Sequence, residues 1–273
     1  MPKISQKTEL DFWESLKKRG PKQDIAYARN LPDRTPLFLL EMFLKLETKI
    51  AEFCWHEASG IILDAGCGNG ELLFRSPTPQ SRQIQYVGID FADNMLRRAA
   101  ARRNTVEPNG DISFVRGSIV SLPFRSQAFS RVISSGSVTC LTTMTEAEGA
   151  LKEYHRVLQA EGLLFVDFTD RMSILGLIGE ICSKVDYLPP RLFSKAEFRT
   201  ILESVGFIII GLREFDYRPR QNAILLRIWR RASKKFEDTK IGDFIENWMI
   251  PKMSSVKVFG SRVYVKCERH VER

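Results

Sequence analysis

Along the chain, apolar positions recur first at helical spacing and then, from Ile61 onward, in short β-rich runs separated by further helical stripes. The spacing predicts a helix over residues 8–19, closed by Gly20, and a longer one entered at Thr35-Pro36, with Thr35 as cap and Pro36 in the first turn. Leu39, Phe43, Leu46, Ile50 and Phe53 mark the apolar face of the second helix. Strands are expected in IILDA (61–65), YVGID (86–90), ISFV (112–115), RVISS (131–135), LLFVDF (163–168), FIIIGL (207–212) and VFGSRVYVKC (258–267).

The helices between these strands have readable ends. Thr145 with Glu148 forms a capping-box pattern ahead of Ala147, Ala150, Leu151, Tyr154 and Leu158, and Gly162 follows the expected stop. Ser194 with Glu197 makes a second box, with Phe193 and Phe198 at the staple positions; its stripe of Phe198, Ile201, Leu202 and Val205 ends at Gly206. Strands alternating with helices imply right-handed crossovers between parallel strands, hence an α/β, doubly wound, mostly parallel seven-stranded sheet with helices on both faces. Ligands of such sheets lie beyond the carboxyl ends of the strands.

The chain of 273 residues, 44% hydrophobic and 27% charged, has length for one core and accessory segments. Residues 1–57 are expected to form an N-terminal helical segment covering the site, and residues 58–273 the main domain. Within that domain, 170–193 and 218–257 are read as acceptor-side or lid insertions. Between Asn222 and Phe236, Leu225, Ile228, Trp229, Ala232 and Phe236 share one face, with Arg227, Arg230, Arg231, Lys234 and Lys235 mostly off it. Such a helix is either core-packed with a solvated basic face or a contact for an anionic membrane or nucleic acid.

A net charge of +8 biases the surface towards anionic partners without identifying one. Cys54, Cys67, Cys140, Cys182 and Cys267 include no C-x-x-C pair, so no metal site or disulfide framework is expected. The first twenty residues lack the apolar core of a secretory signal and no apolar run reaches bilayer-spanning length, so a soluble, cytoplasmic protein is expected.

Candidate chemistry begins directly after the first strand, in Asp64-Ala65-Gly66-Cys67-Gly68-Asn69-Gly70-Glu71, where Leu72 and Leu73 are expected to open a helix. Alternate glycines allow a tight turn and close approach of a ligand to bare backbone. A helix start offers free N–H groups to a carboxylate or phosphate. The dinucleotide pattern G-x-G-x-x-G needs glycine at Glu71, and carboxylates at Asp64 and Glu71 suit an ammonium better than a pyrophosphate. Asp90, at the end of the second strand, is placed to accept both hydroxyls of a ribose, and Phe91 and Met95 follow as apolar flanks for a purine. Cys67 is read as a small residue fitting the loop.

On LDAGCGNG (63–70), VGIDFADNML (87–96), GSIVSLPF (117–124), FSRVISSGSVTCL (129–141) and EYHRVLQAEGLLFV (153–166), the chain resembles the class I S-adenosylmethionine-dependent methyltransferases of the small-molecule type, which have a Rossmann-like fold. AEFRTILESVGF (196–207) extends the likeness more weakly. The resemblance implies S-adenosyl-L-methionine as cofactor and S-adenosyl-L-homocysteine as product. Asp64, Gly66, Cys67, Gly68 and Gly70 would line its methionine end and Asp90 its ribose. Phe91 and Met95 would pack on adenine, Ser118 and Ile119 would meet the adenine edge, and Ser135 and Gly136 would lie beside the sulfonium. Ser118 stands where such enzymes often carry Asp, and its hydroxyl can still accept a hydrogen bond.

A sulfonium methyl is already electrophilic, so in-line placement of the acceptor can supply much of the rate. The sequence names no catalytic base. His56, His155 and His270 read as structural or solvent-exposed, and Tyr27, Tyr187 and Asp170 merely border the expected site. The first reading is a small-molecule or lipid-like acceptor, with peripheral membrane contact open and oligomeric state unassigned. An RNA or protein methyltransferase using the basic surface is the second, and a cofactor-binding partner protein without transfer activity the third.

Overall fold

The structure, a computed structural model, describes residues 35–76, 84–104, 111–171, 191–215, 225–226, 228–230, 239–253 and 262–270. The expected helix at 8–19, Tyr27, Cys182, Tyr187 and nearly all of the 170–193 insertion lie outside the described residues.

Eight strands form one sheet: β1 (Gly60–Ala65), β2 (Ile84–Asp90), β3 (Asp111–Arg116), β4 (Phe129–Ser134), β5 (Leu158–Asp170), β6 (Leu192–Phe193), β7 (Phe207–Phe215) and β8 (Arg262–Arg269). The main path is β3-β2-β1-β4-β5-β8-β7, the expected seven strands, with the two-residue β6 paired to β5 off that path. β1 to β5 are mutually parallel, and β8 runs antiparallel to both β5 and β7. Neighbours in β1 alternate between faces: Leu63 and Ala65 join one apolar cluster, Ile62 the other. Both faces are therefore covered, as a doubly wound sheet requires.

The helices α1 (Leu37–Trp55), α2 (Asp93–Arg103), α3 (Met144–Val157) and α4 (Lys195–Val205) connect or cover the strands. Leu46, Ile50, Ala51, Cys54 and Trp55 of α1 pack on one face; Ala147, Leu151 and Tyr154 of α3 pack with Phe198 and Leu202 of α4 on the other. Arg131 of β4 donates to the carbonyls of Cys54 and His56 at 2.6 and 3.0 Å, so a cation meets the unsatisfied end of α1. A third cluster joins Leu39 and Phe43 of α1 to Leu226 and Ile250.

Several boundaries differ from the sequence expectation. Pro36, not Thr35, is the N-cap of α1, in an extended conformation. α3 is capped by Thr143 with Glu146 rather than Thr145 with Glu148: Glu146 donates to Thr143 Oγ1 at 3.1 Å and accepts from Thr143 N at 3.0 Å. The chain spells T-x-x-E twice, two residues apart, and the earlier copy starts the helix. Gly162 follows the helix end as expected but several residues on: Leu158 is already extended and paired with Phe129, and the left-handed residue is Glu161. The box at Ser194 and the left-handed Gly206 stand as expected, and the Phe193 and Phe198 rings meet at 5.1 Å.

The helix expected from Leu72 is only a single 3-10 turn, Leu73–Arg75. Ser76, which follows, is extended because it precedes Pro77, and the residue before proline is kept from the helical region. In the 222–236 stripe Leu225 and Trp229 pack on the third cluster as expected and Leu226 is buried in it, while Ile228, assigned to the apolar face, is 45% exposed. Arg230 is tied to Glu246 by bonds of 2.8 and 2.7 Å and does not stand on a free basic face.

Candidate active site

The loop that follows β1 is docked onto the end of β2. Gly66 N and Cys67 N donate to the Ile89 carbonyl at 2.8 and 3.0 Å, and Gly70 N closes the turn on the Cys67 carbonyl at 2.9 Å. Asp90 completes the joint, its two carboxylate oxygens accepting from Gly68 N and Ala92 N, each at 2.9 Å. Gly66 has φ +78, and a Cβ there would stand 2.2 Å from Ser137 Oγ, which donates to the Ala65 carbonyl at 2.8 Å. Gly68, at φ +54, has nothing within 4 Å of an added Cβ, so bare backbone faces open space beside Asp90.

Asp64 is 2% exposed and accepts from Tyr86 Oη at 2.8 Å. Burial drives its carboxyl up from 3.8 to about 7; the Tyr86 bond opposes this shift and the nearby Asp90 charge adds to it. Folding therefore takes up a proton between these values, and the Asp64 contribution, full below pH 4, is lost as pH rises towards 7. Urea unfolding at pH 5 and pH 8 should show a stability decline on the order of 2 kcal/mol steeper in the parent chain than in Asp64→Asn. Equal declines would dismiss the buried acid.

Glu71 does not face the loop's open side. It pairs with Arg75 and, at 2.7 Å, with Arg102 of α2, so its charge is offset and it anchors the loop to that helix. The objection that Glu71 would repel a pyrophosphate falls away, while the missing third glycine of the dinucleotide pattern stands. Cys67 is buried with its Sγ 3.7 Å from the Gly68 carbonyl, and burial raises its thiol well above the ordinary value. It is a small core residue, not a thiolate.

Phe91 is half-buried after β2, and Met95 is buried in the first turns of α2. Ser118 is exposed just beyond β3, and Ile119 is buried in the core cluster of the α3 face. Ser135 and Gly136 follow β4, at the same edge of the sheet. Asp170, at the end of β5, lies 4.0 Å from Lys195. His56 and His270 are exposed, and His155 rests edge-on against Phe207 at 5.2 Å.

Four residues that sequence reasoning missed converge on Ser135 and Gly136. Gly136 N donates to Asp167 Oδ1, and Arg262 Nε donates to Asp167 Oδ2. Arg262 also donates to Ser135 Oγ at 3.1 Å, and the Ser135 and Tyr264 hydroxyls share a 2.7 Å bond. Glu47 of α1, 1% exposed, lies 3.7 Å from Arg262. Burial opposes the Arg262 charge, but Asp167, Tyr264 and Glu47 outweigh it and hold the guanidinium well above its ordinary value. The signal in the sequence was a charge inside an apolar strand run: Asp167 in LLFVDF and Arg262 before VYV. Among the described residues no cluster of metal-ligating side chains occurs.

Residues 62–162 match a family described as a methyltransferase domain. The chain is 28% identical over 221 residues to a ubiquinone/menaquinone biosynthesis C-methyltransferase, UbiE, of Campylobacter jejuni, covering 71% of this chain and 83% of that protein. A 2-phytyl-1,4-naphtoquinone methyltransferase from Nostoc is 32% identical over 97 residues, covering 36% of this chain and 41% of its own. Among solved structures, geranyl diphosphate C-methyltransferase from Streptomyces coelicolor, in complex with Mg2+, geranyl diphosphate and S-adenosyl-L-homocysteine, aligns with a TM-score of 0.63 at 15% identity. That alignment covers 99% of both chains. The [4+2]-cyclase SpnF aligns at 0.60 with 18% identity, covering 85% of this chain and 82% of its own. At these identities the two structures speak for the fold.

Proposed function

We propose that the chain is a class I S-adenosylmethionine-dependent methyltransferase that methylates a small, lipid-like acceptor at the carboxyl edge of the sheet. The observation that carries the cofactor assignment is the meeting of Asp64 and Asp90 across a loop whose Gly68 opens onto free space. In this reading Asp64, Gly66, Cys67, Gly68 and Gly70 line the methionine end. Asp90, fixed at the end of β2 by its bonds from Gly68 N and Ala92 N, holds the ribose. Phe91 and Met95 flank adenine, Ser118 and Ile119 meet its edge, and Ser135 and Gly136 lie beside the sulfonium.

S-Adenosylmethionine, when bound, supplies a methyl group on an already electrophilic sulfonium. The chain's own part is alignment, exclusion of water and electrostatics. Glu47, Asp90 and Asp167 against Arg262 give this edge a surplus of carboxylates, which favours a cationic ligand. The residues that set Ser135 and Gly136 come from three other elements, β5, β8 and α1, so the sulfonium-side backbone is fixed before any acceptor arrives.

The apolar cluster of Leu39, Phe43, Leu226 and Ile250 packs α1 against the 218–257 insertion, and the support for a lipid-like acceptor comes from the relatives. Their names point to it, since ubiquinone, phytyl naphthoquinone and geranyl diphosphate all carry isoprenoid chains. Among the described residues no helix is long and apolar enough to cross a membrane. Cys54, Cys67, Cys140 and Cys267 are unbridged, which suits a reducing compartment, and we place the protein in the cytoplasm.

Incubation with methyl-labelled S-adenosylmethionine and fractionated cell extract should send label into the solvent-extractable fraction. Label confined to RNA or protein would overturn the acceptor class and leave the cofactor assignment intact.

A further inference from the structure

Residues 240–253 form a continuous helical segment, α5 (Lys240–Phe244), a π turn (Ile245–Met249) and α6 (Ile250–Met253). One side is turned inward: Gly242 and Ile250 are buried, Ile250 against Leu39, Phe43 and Leu226, and Glu246 is clasped by Arg230. The other side is turned outward and, beside the exposed Asp243 and Asn247, carries three large apolar side chains. Ile241 is 56%, Phe244 52% and Trp248 48% exposed, spaced as one helical face. A surface helix with its apolar stripe already buried is expected to be polar on the side left over.

The outward face has an ordered chemistry. The Phe244 and Trp248 rings stack at 4.8 Å, and Lys252 Nζ stands 4.0 Å above the Trp248 ring. Lys240 and Lys252, both exposed, lie at the two ends of the segment. Aromatic rings beside lysines are the pairing that seats at a membrane–water interface, rings at the acyl boundary and ammonium groups among headgroup phosphates. The net charge of +8 favours an anionic surface further. A second copy fits less well: a stable protein interface needs about 800 Å² per partner, whereas three half-exposed apolar side chains offer roughly 300 Å².

We propose that the face of Ile241, Phe244, Trp248 and Lys252 docks the protein on an anionic lipid bilayer. Docking would bring the sheet edge to an acceptor dissolved in that bilayer, a purpose that rests on the acceptor class proposed above; the contact itself does not.

The test is sedimentation with vesicles of phosphatidylglycerol and phosphatidylcholine, against vesicles of phosphatidylcholine alone. The parent chain should bind the anionic vesicles preferentially and lose binding as salt is raised. The Phe244→Ser, Trp248→Ser double variant should bind them at least about tenfold more weakly while still taking up S-adenosylhomocysteine in calorimetry. Should that variant fold poorly, brominated lipid in the same vesicles should quench the parent's tryptophan fluorescence, and the conservative Trp248→Phe should remove most of that quenching. Failure of the parent to bind vesicles, unaltered binding by both variants, binding to RNA in place of vesicles, or a dimer abolished by the double variant would each overturn the docking face. Label transfer to a lipid extract is read separately, so the acceptor class and the docking face fail independently.

Discussion

Replacing Arg262 with methionine should lower the stability of the chain by about 3–5 kcal/mol, read as a fall in the urea midpoint. The guanidinium is buried between Asp167 and Glu47, themselves 1% exposed, so bulk solvent cannot take its place cheaply. Removing it leaves two carboxylates in a low-dielectric interior, and Ser135 loses a donor as well. Arg262→Lys keeps the charge but not the fork that reaches Asp167, Ser135 and Glu47 together, so about half the loss should remain. A triple variant, Glu47→Gln, Asp167→Asn, Arg262→Met, removes all three charges and should recover much of it. If the single variant matched the parent, the cluster would not be the buried ion network described above.

Asp90→Ala should weaken S-adenosylhomocysteine binding at least about a hundredfold in calorimetry, the loss expected from roughly two charge-assisted hydrogen bonds. In this structure the side chain fastens the glycine loop to β2 through Gly68 and Ala92, and in the proposed reading it also receives the ribose hydroxyls. Asp90→Asn can still accept one of the two backbone bonds, so a loss of about tenfold is expected. Affinity untouched by Asp90→Ala would remove the ribose from this end of the sheet.

The fold was legible because its signals repeat. β-rich runs alternate with stripes at helical spacing, and all seven expected strands begin or end within two residues of their expected limits. The loop and Asp90 were legible too, since a glycine series after one strand and an acid at the tip of the next are local features. The misread parts depend on competition between neighbours. Thr143 won over Thr145 as cap because both spell the same box, and the turn after Glu71 stopped early because Pro77 forbids helix at Ser76. The network of Glu47, Asp167, Arg262 and Tyr264 was hidden for another reason: its members lie far apart in sequence and meet only once β8 has inserted beside β5.

α1 is fastened at two places that lie on opposite borders of the sheet. Its final carbonyls are gripped by Arg131 near the start of β4, and Glu47, roughly two turns earlier, reaches Arg262 at the far border. A rod pinned at both stations cannot swing about either. Any motion that admits reactant and releases product would then fall elsewhere in the chain, past a helix that stays put. A change in the bulk of Leu39 or Phe43 would act through the seating of that rod on Leu226 and Ile250, not through a hinge.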